Sequence, residues 1–231
     1  MYRLIHLTET DSTNKYIRSL ANPREKLCVI ADRQTAGRGR LGRTFESPDG
    51  GLYMSFTCHS TDVLGDALTA KTAVAAARAV EKLTGLDIKI KWVNDLYAHG
   101  KKLCGILAEG VWTGDSLDSL IIGIGVNLYG VLPEYLENIA TTVEAEGGRV
   151  PEREELACAI LDEFERLTDF YEEYKSRQLL LGCPVTVHRG DETFTAAAED
   201  LDDGCAMILR LCDGTKMTLT SGEISIRKHE E

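Results

Sequence analysis

Residues 34–43 read Gln34-Thr35-Ala36-Gly37-Arg38-Gly39-Arg40-Leu41-Gly42-Arg43. Gly37, Gly39 and Gly42 free the backbone for tight turning and close approach to a ligand. Arg38, Arg40 and Arg43 bring permanent charge and planar donor forks that match carboxylate and phosphate oxygens. Such a loop suits an anion that is enclosed after it arrives. Taken alone it is equally a solvated turn or an arginine–glycine segment for nucleic acid. The remainder of the chain has to decide.

The chain has 231 residues and carries 26 basic against 37 acidic side chains, a net charge of −11. No whole-protein field draws it to DNA or RNA, so the basic loop is a local device. Hydrophobic residues make up 43% and charged residues 27%, the balance of a globular fold long enough for one sizeable domain and a small one. No apolar run approaches the ~20 residues of a membrane span, and the N-terminus lacks a signal-peptide core. The seven cysteines are odd in number and include no Cys-x-x-Cys pair. They read as thiols in a reducing compartment, and the expected location is cytoplasmic. The histidines form no ligand pair, so no structural metal is expected.

Working outward from the loop, Leu27–Ala31 is a compact apolar strand that delivers the chain to it. Ser12-Thr13-Asn14 precede a short helix (Tyr16, Ile17, Leu20) that stops before Pro23. After the turn Ser47-Pro48-Asp49-Gly50-Gly51, Leu52, Met54 and Phe56 alternate with Tyr53, Ser55 and Thr57 as in a strand. Asp66–Thr84 is an alanine-rich helix closed by Gly85. Ile88–Trp92, Leu103–Val111 and Leu120–Val126 have strand character, with a turn from Asn94-Asp95 to His99-Gly100 between the first two. From Pro151 the stripe Leu156, Ile160, Phe164, Leu167, Tyr171 and Tyr174 predicts one long helix ended by Gly182. Beyond it, Pro184–Val187, Met207–Leu211 and Lys216–Leu219 are separated by Arg189-Gly190-Asp191, Asp203-Gly204 and Asp213-Gly214, the hairpin pattern of a small barrel. A domain boundary falls near residue 181.

Five polar clusters punctuate this frame: Ser12-Thr13-Asn14, residues 34–43, Lys91-Trp92-Val93-Asn94-Asp95, Lys101-Lys102-Leu103-Cys104-Gly105, and Gly123-Ile124-Gly125-Val126-Asn127. Each has an ordinary explanation: a helix cap, a turn, a solvated lysine pair, glycines that relieve crowding between strands. Their joint order and spacing, together with Ile106-Leu107 and Ser221-Gly222-Glu223-Ile224-Ser225-Ile226, resemble biotin protein ligases, in the short form lacking a DNA-binding domain. Three positions depart from the family pattern: Val93 stands where proline is usual, Leu41 where a further arginine is common, and Phe45 where a tryptophan is.

The resemblance implies an α+β fold: a central mixed β-sheet flanked by helices, of the class II tRNA synthetase type, then a small C-terminal SH3-like barrel. The corresponding units are a catalytic domain at 1–181 and a barrel at 182–231. It implies activation of biotin by ATP and Mg2+ to biotinyl-5′-AMP, then transfer to a lysine of a biotin carboxyl carrier domain. Biotin would be held by Ser12, Thr13, Asn14, Gln34, Gly37, Arg38, Gly39, Arg40, Lys102, Gly105, Leu107, Gly123 and Gly125. The adenylate would meet Arg38, Arg40, Arg43, Phe45, Lys102 and Asn127, the last reading adenine. Lys102 and Arg40 would be catalytic, with Asp95 orienting Lys102 or accepting a proton. Magnesium would be carried by phosphates and water, and no protein ligand is assigned to it. No DNA or membrane partner is expected, and monomer and homodimer both remain open. The loop from Ala36 to Ser47 is expected to be mobile without ligand and to order on binding. A lipoate-type ligase and a non-catalytic biotin-binding protein are the alternatives.

Overall fold

The computed structural model describes residues 1–20, 25–59, 63–220 and 224–228. Pro23 and Ser221-Gly222-Glu223 lie outside the described residues. Seven strands form the main sheet: β1 (Arg3–Thr10), β2 (Leu27–Gln34), β3 (Gly51–Cys58), β4 (Lys89–Lys91), β5 (Asp95–Ala98), β6 (Lys101–Thr113) and β7 (Ser116–Asn127). Their order is β1-β2-β3-β7-β6-β5-β4; β1 and β2 run parallel and the other neighbours antiparallel. A second sheet of β8 (Pro184–Arg189), β9 (Glu192–Leu201), β10 (Met207–Arg210), β11 (Lys216–Leu219) and β12 (Ile224–Lys228) is antiparallel, in the order β11-β10-β9-β8-β12. This is the mixed sheet with a small C-terminal β unit that the sequence led us to expect.

Strand pleating divides the labour between the two faces of the main sheet. Leu52, Met54, Phe56, Ile122, Ile124 and Val126 point into the large core, where α2 (Gly65–Thr84) and α3 (Arg153–Arg166) cover them. The Phe56 and Phe164 rings meet edge to face at 5.1 Å. Val29 and Ile121 pack on the other face against Ile17 of α1 (Thr13–Ser19). All eight residues of β3 are therefore buried, and its alternation does not separate core from solvent.

Three expectations are corrected. The predicted long helix is two, α3 and α4 (Tyr171–Ser176), because Leu167 turns to extended backbone (ψ 110°) once its N–H has bonded the Glu163 carbonyl. Thr168 and Asp169 follow, short polar side chains that compete with helical hydrogen bonding. The apolar stripe persists across the break, with Phe164, Leu167 and Tyr174 all buried. Gly182 ends no helix: its N–H bonds the Ala198 carbonyl ahead of β8. Residues 95–98, expected as a turn, form β5 between β4 and β6, while His99 and Gly100 turn with φ of 47° and 84°. β1 and β9 are strands the sequence reading passed over.

The small sheet does not stand apart. Trp92 Nε1 donates to the Cys205 carbonyl at 2.9 Å and Tyr171 Oη to that of Leu201 at 2.8 Å. Val185, Val187, Met207 and Leu209 belong to the same buried core as the central sheet.

Candidate active site

The α1 face of the sheet carries the site. In register, Gly105 lies opposite Gly125, Leu107 opposite Gly123, and Glu109 opposite Ile121, so alternate residues of β6 and β7 make one continuous floor. Ser55 of β3 sits opposite Gly123 in the same row. The cavity above this floor is walled by Ser12, Thr13 and Asn14 from the start of α1, by Gln34 and the loop Arg38–Phe45, and by Lys91, Trp92, Asn94, Asp95 and Lys102 from the strands beyond.

Glycine is required in the floor because side chains occupy the space above it. A Cβ on Gly125 would lie 2.5 Å from the Phe45 ring, one on Gly105 2.9 Å from it, and one on Gly123 2.3 Å from Asn14 Oδ1. The glycines expected to let the backbone approach biotin make room here for Phe45 and Asn14. Gly125→Ala is thus expected to push Phe45 out of its seat and weaken biotinyl-adenylate binding tenfold or so, with little change in melting temperature; calorimetry against a non-hydrolysable adenylate analogue checks it.

Ser12, Thr13 and Asn14 do not serve as helix caps. Ser12 occupies the N-cap position without a side-chain capping bond, and all three are buried. The hydrogen bonds of Thr13 and Asn14 run along the pocket base. The Thr13 N–H and hydroxyl donate to Gln34 Oε1 at 2.9 and 3.1 Å, and Gln34 Nε2 donates to Ser47 Oγ at 2.9 Å. Ser55 Oγ lies 2.7 Å from Thr13 Oγ1 and 2.5 Å from Asn14 Oδ1, and Asn14 Nδ2 donates to Glu109 Oε2 at 2.8 Å. Apart from the Glu109 carboxylate at its end, this chain of neutral polar groups can exchange bonds with a neutral polar ligand ring at small desolvation cost.

The basic loop closes on itself in this structure. Arg38 bridges Thr44, Gly39 N–H donates to the Arg43 carbonyl at 2.7 Å, and Phe45 N–H to the Gly37 carbonyl at 3.0 Å. The turn at its tip places Leu41 and Gly42 at φ 57° and 71°. Arg40 reaches inward, where Nη1 donates to Asn94 Oδ1 at 3.2 Å. Burial pulls the Arg40 pKa below its ordinary value, while Asp66 and Asp95 act to hold it up. Asn94 is in turn fixed to β6, donating Nδ2 to the Ile106 carbonyl at 2.8 Å while its own carbonyl accepts from Ile106 N–H at 2.9 Å.

Lys102 sits across the pocket from the loop. Its ammonium pairs with Asp95 Oδ1 at 2.7 Å and lies 5.7 Å from the centre of the Phe45 ring. Its backbone N–H donates to the Ile139 carbonyl, and its carbonyl accepts from Thr141 N–H, both at 2.9 Å. The structure thus brings together Lys102 and Asp95, the residue expected either to orient the lysine or to accept a proton.

Two predicted residues lie off the cavity wall. Gly37 is packed against the loop's own backbone at the Phe45 carbonyl and Ser47 Oγ. Asn127 is buried at the end of β7, and its Nδ2 is committed to the Thr141 carbonyl at 3.0 Å. Ser55, Lys91, Asn94 and Glu109 were not among the predicted ligands, although Lys91 and Asn94 stood in a motif. The period of two from Gly105 and Leu107 points to Glu109; cross-strand register, invisible in a single sequence, brings in Ser55.

Among the described residues, no group of three or more His, Cys, Asp or Glu is placed to hold a metal, and no helix is long and apolar enough to cross a membrane. A cationic pocket with a neutral polar base and an open sheet floor belongs to the class of small-acid ligases that the comparisons identify. The model described as the biotin/lipoate A/B protein ligase family matches residues 3–127, and that of the biotin protein ligase C terminal domain matches 180–227. The bifunctional ligase/repressor BirA of Bacillus subtilis is 34% identical over 230 residues, which cover 92% of this chain and 71% of that protein. The biotin–[acetyl-CoA-carboxylase] ligase of Paracoccus denitrificans is 31% identical over 225 residues, 88% of this chain and 92% of the relative. The structure of the biotin protein ligase from Aquifex aeolicus in complex with biotin and ATP superposes with a TM-score of 0.84 at 31% identity, covering 98% of this chain and 99% of that one. The chain belongs to the biotin protein ligase family.

Proposed function

We propose that the protein activates biotin with MgATP and passes the biotinyl group to a lysine of a biotin carboxyl carrier domain. The biotin carboxylate attacks the α-phosphorus, an anhydride bond forms, and pyrophosphate leaves. The acceptor amine then attacks the anhydride carbonyl and AMP leaves. The observation that supports this reading best is the convergence of Arg38, Arg40, Arg43 and Lys102 on one cavity whose base is the Thr13–Gln34 polar chain. Two anions must meet in the first step, so fixed cations and positioning supply the catalysis and no protein nucleophile is needed.

In this reading Thr13, Asn14 and Gln34 take the ureido ring, and Leu107 adds apolar wall. Arg38 and Arg40 close on the carboxylate and α-phosphate, with Arg43 beside them at the rim. Lys102, oriented by Asp95, stands where the two anions join. The catalytic unit is placed at 1–181 and the C-terminal unit at 182–231. Mass measurement after incubation with biotin, MgATP and a carrier domain tests the proposal: one added biotinyl group is expected, and lipoate in place of biotin should add nothing. Mass gain with lipoate alone would move the protein to the other branch of its class.

Arg40→Ala separates chemistry from folding. Pyrophosphate release is expected to fall on the order of a hundredfold, as for loss of one preorganised donor. Its loop position limits the stability cost to about 1 kcal/mol by urea denaturation. Wild-type pyrophosphate release from this variant would remove Arg40 from the mechanism.

A further inference from the structure

The Glu109 carboxylate touches both the polar base of the pocket and its arginine rim. Oε2 accepts from Asn14 Nδ2 at 2.8 Å and lies 3.7 Å from Arg18 Nη2, while Oε1 lies 3.4 Å from Arg38 Nη1. The two oxygens differ in how firmly they are engaged. The Asn14 bond is short, and it sets the amide's orientation. A carboxylate only accepts, so it faces the amide's NH2, which turns Oδ1 to Ser55 at 2.5 Å. The Arg38 contact is long for a charge-assisted hydrogen bond, single-pointed, and made by a side chain 47% exposed. One contact is structural and the other is exchangeable.

We propose that Glu109 stands in for the substrate's carboxylate. It holds the Arg38 guanidinium over the cavity until substrate arrives, and it yields that guanidinium to the incoming anion while keeping Asn14 fixed. Glu109 is thus a positioning residue that acts on ligand affinity through Arg38. The inference rests on the biotin-ligase reading above, in which Arg38 meets a carboxylate.

An arginine with no anion in reach would extend into solvent and have to be gathered back when substrate arrived. Glu109 prevents that at a small cost in affinity, because the substrate must displace it. The cost is small because the exchange replaces a half-exposed, one-point pair with a shielded one.

Calorimetric binding of two probes tests this: biotin, which carries the carboxylate, and biotinol, its neutral alcohol. Glu109→Gln keeps an acceptor for Asn14 and removes the competing charge. It is expected to tighten biotin about three- to fivefold, the range of an exposed ion pair, and to leave biotinol unchanged. In an Arg38→Gln background the same change is expected to do nothing to either probe. Glu109→Ala frees Asn14 as well and is expected to weaken biotinol. In steady-state adenylation, Glu109→Gln lowers the KM for biotin without a matching change in kcat.

Weaker biotin binding by Glu109→Gln would overturn the proposal. So would tightening that persists without Arg38, since that is plain charge repulsion. Wild-type protein that binds neither probe would overturn the ligase reading itself, a different outcome from either of these.

Discussion

Lys102→Ala is expected to lower pyrophosphate release from biotin and MgATP by about a hundred- to a thousandfold, the cost of removing one preorganised charge from a developing anionic centre. The size of the effect follows from how the ammonium is held. Asp95 fixes it at 2.7 Å, and both backbone groups of Lys102 are bonded to residues 139 and 141. Little of its position has to be found during the reaction. The strand should survive the change, because neither backbone bond involves the side chain.

Lys102→Arg refines the test. It keeps the charge, but its broad planar fork cannot occupy the point beside Asp95 that a compact ammonium fills, so only part of the rate is expected back. Asp95→Asn should cost less than Lys102→Ala, since the cation remains and only its orientation loosens. Single-turnover formation of the adenylate measures all three. Equal rates in wild type and Lys102→Ala would exclude the lysine from the first step.

Trp92→Ala is expected to produce the largest loss of stability, about 3–5 kcal/mol by denaturant titration, as for a large aromatic side chain removed from a core. Trp92 is 5% exposed, and its indole N–H is spent on the Cys205 carbonyl of the C-terminal unit. The truncation therefore opens a cavity and leaves a carbonyl unsatisfied where the two sheets meet. Trp92→Phe keeps most of the volume and should cost less than half as much. Because Lys91, Asn94 and Asp95 flank this tryptophan on the pocket wall, adenylation should fall in Trp92→Ala even where the protein is still folded. Circular dichroism and activity along one urea series would separate the two losses.

The legible part of this fold is the part where chemistry and local sequence coincide. Gly37, Arg38, Arg40, Lys102 and Asp95 lie in short runs whose composition is unusual, and the structure assembles them around one cavity, Gly37 lying just behind its wall. The strands that escaped notice have ordinary reasons for it. β1 is an edge strand with half-exposed side chains, and β9 carries three consecutive alanines, so neither shows a sharp period of two. β5 hid inside turn chemistry because it is only four residues long and begins on Asp95, with Asn94 before it and His99-Gly100 after it. The stripe through Leu156 and Tyr174 was right about burial and wrong about continuity. Periodicity reports which side faces the core, and it runs on across a break that preserves the face. The roles of Gly123 and Gly125 depended on which side chains cross the sheet above them, information that only long-range pairing holds.

The backbone bonds between Lys102 and residues 139–141 have a mechanical meaning. That segment enters neither sheet as a named strand, yet it is laced to β6 at the residue that carries the key cation. A pull on residues 139–141 is thus transmitted to the base of the lysine through two short, nearly inextensible links. Displacement of that segment is therefore expected to shift the backbone of β6 at Lys102, while the ammonium itself is held by Asp95.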